Sequence, residues 1–237
     1  MWLRVLPFLC LFLLSQVSRA QQKEIDVPFD NTTVSGSPFE VSGKLSVRET
    51  VAGNEVQSSW EENVTAKNIS QKPIVLLVGI LDAVGPHSDG GYALIMDQFF
   101  SQHVIDPGDT VPLATGTTGR GSCCINPLDK PRDPKAGFRV EFVQFLDGST
   151  FGDPVSAKDA FASRTLTRNF LRKLADTYSE QGEQKFEAQM KEGHGPVLPL
   201  IRMTANQKGT SAAIAQVREM LAIGEEREAM IGKQATK

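Results

Sequence analysis

The chain has 237 residues, of which 40% are hydrophobic and 22% are charged, which is a composition typical of a folded globular protein and not of a disordered one. Its 25 basic and 28 acidic residues give a net charge of −3, so the sequence carries no electrostatic footprint for nucleic acid. A chain with three cysteines cannot be a disulfide-stapled scaffold.

The first twenty residues have the layout of a secretory signal. Arg4 precedes the apolar run 5–14, and the polar stretch that follows ends in small residues at Ser18 and Ala20. The apolar run has about ten residues, whereas a permanent transmembrane helix needs about twenty. We therefore expect residues 1–20 to be removed, which leaves an exported protein, periplasmic or extracellular, without a transmembrane span.

The mature chain begins with a polar stretch and continues into strands. Residues 21–37 predict a loose N-terminal lead with an edge strand near residues 25–29. Apolar and polar side chains alternate strictly over residues 39–47, which predicts a strand with one buried face. Residues 60–69 predict a second strand, and residues 74–81, which are apolar on both faces, predict a central strand.

Further strands are predicted as far as residue 152. Residues 92–100 predict another apolar strand, and residues 110–113 predict an edge strand because Pro112 cannot donate a ladder hydrogen bond. The alternation that begins at Phe138 changes parity at Val143, which indicates a β-bulge. The pair Asp147-Gly148 then predicts a tight hairpin turn.

The character of the chain changes at residue 153. Ser156 and Asp159 have the spacing of a helix N-terminal capping box, and apolar residues recur at helical spacing as far as Gly193. Residues 195–203 are predicted to be extended and apolar. Ser211 is predicted to begin a second helix.

The predicted fold class is mostly β with an α extension. An immunoglobulin-like antiparallel β-sandwich at residues 38–152 is followed by two C-terminal helices within residues 153–237. We expect the helices to pack on the sandwich or on each other. A homodimer through the helices is the alternative, because an amphipathic face buries itself against whatever surface is nearest.

Residues 60–113 resemble bacterial exported immunoglobulin-like modules of the FxLYD or CARDB type. The shared parts are the turn Asn68-Ile69-Ser70, the buried strand at residues 75–82 and the turn Pro107-Gly108-Asp109 before an edge strand. The run Val78-Gly79-Ile80-Leu81-Asp82 keeps the apolar residues and the Asp of the FxLYD pattern but lacks its Phe and Tyr. The resemblance implies an interaction or spacer module without a shared active site, so no functional residues carry over.

Cys123 and Cys124 form the most unusual feature of the mature sequence. Adjacent Cα atoms lie about 3.8 Å apart, below the usual disulfide range of about 4.4–6.8 Å, so a bond between the two would be strained and easily reduced. The pair is a candidate redox switch or soft-metal ligand. The simpler interpretation is that the thiols are incidental or form interchain bonds, because metal and redox sites normally use more than two adjacent thiols.

Residues 115–136 are rich in Gly, Pro and charge, and they predict a loop of 22 residues. Loops longer than about 12–15 residues are usually either functional or disordered, and the sequence favours neither. A functional loop would contact a partner, a protein or an envelope component, through its basic residues Arg120, Lys130, Arg132 and Lys135.

Three other motifs are weaker. His87-Ser88-Asp89 are neighbours in a hydrophilic loop, whereas the members of a catalytic triad come from separate elements. Residues 116–122 have the glycine spacing of a phosphate-binding loop but lack its Lys. N-glycosylation sequons begin at Asn31, Asn63 and Asn68.

The sequence identifies no catalytic, cofactor-binding or metal-ligating set, so we expect no enzyme and no cofactor. It predicts an exported, non-catalytic binding or envelope-assembly module that does not bind nucleic acid. The alternative is an extracytoplasmic thiol-based redox or soft-metal function at Cys123-Cys124.

Overall fold

A computed structural model describes residues 24–30, 35–123, 129–195 and 197–234. The predicted signal, residues 1–20, lies outside the described residues. The strands are β1 (Glu24–Val27), β2 (Phe29–Asp30), β3 (Phe39–Ala52), β4 (Glu55–Asn68), β5 (Ile74–Val84), β6 (Tyr92–Asp97), β7 (Thr110–Cys123), β8 (Lys135–Phe145) and β9 (Thr150–Gly152). The helices are α1 (Lys158–Gln181), α2 (Glu183–Glu192), α3 (Leu198–Lys208) and α4 (Thr210–Gln234).

The described strands form two sheets around one hydrophobic core. The first sheet has the order β1-β3-β4-β7, and the second has the order β2-β8-β5-β6 with β9 paired to β8. The pairing of β2 with β8 is parallel, and the other pairings between these strands are antiparallel. Both sheets contribute to the shared core, with Phe39 and Trp60 from the first sheet and Leu77 and Phe138 from the second.

The alternation predicted for residues 39–47 is confirmed by β3. Phe39, Val41, Leu45 and Val47 are buried, and the polar residues between them are mostly exposed. The central strand is confirmed as well, because β5 lies between β8 and β6 and its first six residues are all buried.

Local signals around the sheet edges are also confirmed. β7, which contains Pro112, is an edge strand of the first sheet. The parity change in β8 is a bulge. Val78 of β5 lies opposite Phe142 and Gly79 lies opposite Val140, so the register shifts between Val78 and Gly79. After Asp147-Gly148 the chain returns as β9. Gly148 has a φ of 85°, a left-handed conformation that residues with a side chain rarely adopt.

The helical part differs from the prediction, because the described chain contains four helices and not two, and helix is about as extensive as strand. Ser156 does not cap α1. Asp153 accepts a hydrogen bond from the Val155 backbone N at 2.9 Å and begins a 3-10 turn that leads into α1. Residues 198–203 are helical and not extended, because Pro199 lies in the first turn of α3, where no backbone N–H is needed.

The helices pack on the second sheet and on one another. Ala157 and Ala160 contact Leu76 and Phe142 on the face of that sheet opposite the shared core. A further core lies among the helices, and it includes Phe99 and Phe100 from the turn after β6. No helix within the described ranges is long and apolar enough to cross a membrane.

Candidate functional site

A cavity of about 410 Å³ lies between α1, α4, the start of α3 and the turn after β6. Small-molecule sites usually fall between about 300 and 1,000 Å³. The cavity is lined by residues of α1 (Ser163, Arg164 and Thr167), of α4 (Gln216, Glu219, Met220 and Ile223), of the β6 end and turn (Asp97, Gln98, Phe100, Ser101, Gln102 and His103) and of the segment around α3 (Val197 and Leu200).

An ion pair between a buried arginine and a partly buried aspartate forms part of the cavity wall. The Arg164 side chain is 7% exposed, and its Nε and Nη2 donate to the two carboxylate oxygens of Asp97 at 2.8 and 2.9 Å. Its Nη1 donates to Oε1 of Gln144 at 2.6 Å, and the guanidinium lies over the Phe99 ring, 4.2 Å from the ring centroid. The positive charge of Arg164 is therefore matched inside the protein by Asp97, in the bidentate geometry that holds arginine most firmly.

A second arginine fastens the turn after β6 to α4. Arg227 is buried, and its Nη1 donates to the backbone oxygen of Gln98. Burial lowers the pKa of Arg227, the positive charge of Arg164 lowers it further, and Asp97 and Glu226 act in the opposite direction. The turn is thus held between two guanidinium groups.

Uncharged polar groups on the cavity wall lack protein partners. Thr167 is 4% exposed, and neither its hydroxyl nor that of Ser163 forms a hydrogen bond with any described residue. Oε1 of Gln216 is buried without a hydrogen-bond partner in this part of the chain. A buried polar group without a partner carries the cost of its lost hydration, which applies to Oε1 of Gln216. The hydroxyls of Thr167 and Ser163 line the cavity as further groups to which a ligand could hydrogen-bond.

The rest of the cavity wall is largely apolar, and the mouth of the cavity is polar. Phe100 and Met220 are buried, and Leu200 is 44% exposed at the edge of the cavity. At the mouth, Nε2 of Gln102 donates to the Glu219 carboxylate. The site therefore combines an aliphatic surface with a small set of hydrogen-bonding groups.

The predicted loop at residues 115–136 is wrong at both ends. β7 continues through Cys123, and β8 begins at Lys135. Pairing with β4 holds this part of β7 in the sheet, with Cys123 opposite Glu55. Cys124 lies outside the described residues, so the thiol interpretation stays a prediction.

Arg132 fastens two loops together. Its Nη1 donates to Asp89 at 2.9 Å, its Nη2 donates to the backbone oxygen of Ser88 at 3.0 Å, and its backbone N donates to the oxygen of Pro86. Lys130 and Lys135, which are also predicted to contact a partner, are exposed. The backbone of Arg120 in β7 lies opposite that of Ser58 in β4. Partner contact through these four stays a prediction.

Glu49 explains the arrangement of His87 and Ser88, and sequence reasoning missed it. The Glu49 side chain is 6% exposed and accepts hydrogen bonds from the His87 backbone N and from Ser88 Oγ, the latter at 2.6 Å. Nδ1 of His87 lies 3.1 Å from the same carboxylate. Ser88 donates to a carboxylate and not to His87, so these residues secure a loop and do not form a nucleophile–base pair.

The sequon residue Asn68 is structural in the folded protein. Its side chain is buried, and Nδ2 donates to the backbone oxygens of Lys72 and Ile105 at 3.0 and 2.9 Å. Oδ1 accepts from the Ser70 backbone N. Asn63 is exposed on β4, and Asn31 lies outside the described residues.

Across the described parts of the chain, no group of three or more His, Cys, Asp or Glu side chains is placed to hold a metal ion. No protein-family model, curated protein or solved structure matches this chain.

Proposed function

We propose that the protein is an exported, non-catalytic binding module and that its ligand occupies the cavity between α1, α4 and the turn after β6. The observation that carries the proposal is Oε1 of Gln216, a buried acceptor without a hydrogen-bond partner, in the wall of a cavity of about 410 Å³. Concave apolar sites with a few convergent polar groups are the usual form of small-molecule sites. Export follows from the predicted signal at residues 1–20.

The pairing of the charged residues supports a non-catalytic role. Asp97 and Arg164 bind each other, and Glu219 accepts from Gln102. A catalytic Ser or Thr is commonly activated by an adjacent base within hydrogen-bond reach of its hydroxyl. No described residue hydrogen-bonds to the Ser163 or Thr167 hydroxyl.

We further propose that the two-sheet part is an immunoglobulin-like sandwich of the FxLYD or CARDB type. Asn68 supports this, because it connects the two turns on which the resemblance depends. Its side chain donates to the Ile105 oxygen at 2.9 Å, and its backbone oxygen accepts from the Gly108 N at 2.8 Å. An interaction module of this type would agree with a binding role.

A fragment screen on the mature protein with ¹³C-labelled methionine methyl groups tests the binding role. Met220 lines the cavity, and Met203, which is 48% exposed on α3, serves as the internal control. We expect cavity ligands to shift the Met220 methyl resonance, to leave that of Met203 unchanged and to be recovered chemically intact.

Two matched variants make the screen decisive. Ser163→Leu fills the cavity and should abolish these shifts, whereas Ser179→Leu, on the exposed side of the same helix, should preserve them. Fragments that bind equally well to the Ser163→Leu variant would overturn the cavity as the binding site. Turnover of a bound fragment would overturn the non-catalytic role.

A further inference from the structure

We infer that the ligand is a neutral aliphatic molecule with an amide head group. The head group would lie against Thr167 and Gln216, and the aliphatic part would lie against Met220, Ile223 and Leu200. This inference rests on the proposed function and adds the chemical class of the ligand.

The groups on the cavity wall suit a head that both donates and accepts hydrogen bonds. Oε1 of Gln216 is a buried acceptor without a partner, so it needs a donor. The Thr167 hydroxyl can donate and accept. A carboxylate cannot donate to Gln216, and an ammonium group cannot accept from Thr167. An amide does both, and it fits either orientation of the Gln216 side-chain amide.

The charges around the cavity disfavour an ionic head of either sign. Arg164 and Asp97 already pair with each other, so an ionic head of either sign beside Thr167 would find no free counter-ion in them. Glu219 is exposed and accepts a hydrogen bond from Gln102. Arg164 already donates to Asp97 and Gln144, and an unpaired buried charge is far costlier than an unpaired dipole.

The cavity volume limits the length of the aliphatic part. A volume of about 410 Å³ equals the share of about fourteen water molecules at about 30 Å³ each. This space admits an amide head with a chain of about eight carbons. Each methylene buried against Met220 and Ile223 should tighten binding about fourfold.

A matched series of eight-carbon probes tests the ligand class. Octanamide, octanoate and octylammonium have the same chain and differ in charge, and each is titrated into the mature protein while the Met220 methyl resonance is followed. We expect octanamide to bind at least about tenfold more tightly than either ion, because each ion lacks one hydrogen bond and its charge would be desolvated beside an ion pair that is already complete. Hexanamide lacks two methylenes and should bind about fifteenfold more weakly than octanamide.

A conservative variant isolates the head-group contact. Thr167→Val keeps the shape of the side chain and removes the hydroxyl, so octanamide affinity should fall about tenfold. Thr165→Val is the matched control, because Thr165 is exposed on the same helix and its hydroxyl bonds to the backbone oxygen of Phe161. The control should bind octanamide like the unmodified protein.

The outcomes separate this inference from the proposed function. If octanoate or octylammonium binds more tightly than octanamide, and Ser163→Leu abolishes that binding, the ligand class is wrong and the cavity is still the site. If none of the three probes shifts Met220, the inference is also overturned, and the fragment screen decides the binding role independently. Equal loss of affinity in Thr167→Val and Thr165→Val would overturn the assigned contact.

Discussion

A Cβ atom placed on Gly224 would lie 2.5 Å from Cε1 of the Phe100 ring. Gly224 is in α4 and Phe100 is in the turn after β6, so the contact joins the helical core to the second sheet. The missing side chain allows the ring to lie directly against the helix backbone, beside the cavity.

Gly224→Ala should therefore lower the free energy of unfolding by about 1–3 kcal/mol, because the added methyl group overpacks the contact with Phe100. This loss would appear despite the better helix propensity of alanine, which is worth up to about 1 kcal/mol. Urea unfolding followed by circular dichroism measures the change. Gly232→Ala is the control on the same helix, since a Cβ there meets nothing within 4 Å, and it should be neutral or stabilising. Equal effects in the two variants would contradict the packing argument.

Removal of the buried guanidinium should be more damaging than removal of an exposed one. Arg164→Met leaves the Asp97 carboxylate without its bidentate partner, and we expect a loss of about 3 kcal/mol in the free energy of unfolding. Arg172→Met, on the same helix, removes a cation that is 52% exposed and pairs with Glu225 at 3.4 Å. That variant should change stability by less than about 1 kcal/mol. A loss of similar size in both would show that the buried pair contributes no more than a surface pair.

The decrease in the free energy of unfolding at low pH should depend in part on Asp147. Burial raises the pKa of Asp147, but hydrogen bonds from Lys72 and Ser149 outweigh it and hold the pKa below its usual value. A lowered pKa in the folded state adds stability above the unfolded pKa of about 3.9, and this contribution is lost as the pH falls through the folded value. The stability difference between the unmodified protein and Asp147→Asn should be constant from about pH 5 to 8 and shrink below about pH 4.

The size of that difference should be modest. The Asp147 side chain is 34% exposed and that of Lys72 is 50% exposed, so solvent screening keeps the contribution below about 1 kcal/mol. Lys72→Met removes the cation 2.7 Å from Oδ2 of Asp147 and should remove most of the same pH dependence. An unchanged decrease in the free energy of unfolding at low pH in both variants would contradict the assignment.

An intact-mass measurement on the exported protein, without reductant, tests two predictions from the sequence. The mature chain should begin at Gln21, and both Cys123 and Cys124 should react with an alkylating reagent, because adjacent residues are poorly placed for a mutual disulfide. The Cys123→Ser variant should take up one label instead of two. An unlabelled monomer lighter by about two daltons would instead demonstrate a strained bond between neighbours and favour the thiol-based alternative.

The strands that the sequence predicted best carry local signals. The alternation in β3 and the Asp147-Gly148 turn depend on neighbouring residues, and the structure retains both. Residues 115–123 have no such signal, since their Thr and Gly residues do not alternate with apolar ones. They are in a strand because β4 pairs with them, and that pairing depends on the tertiary fold.

The cavity could not be predicted from spacing, because its walls come from segments far apart in the sequence. The apolar stripes of the helices indicated only that something packs against them. One signal was present in α1. Arg164 and Thr167 occupy the helical face that buries Ala160, Leu171 and Leu174, where the period calls for apolar residues. Polar residues on a buried face mark the place where a helix meets something other than a hydrophobic core.

Because Phe99 and Phe100 lie in the helical core, the site near them is completed only when the last helix has been synthesised. Both sheets are encoded before residue 153, yet Gln216, Met220 and the backbone at Gly224 arrive with the last helix. A chain truncated before α4 would contain every described strand and leave the Phe100 ring uncovered. The ligand site is therefore a late product of synthesis, and premature termination before Gln216 would remove the whole wall that α4 contributes.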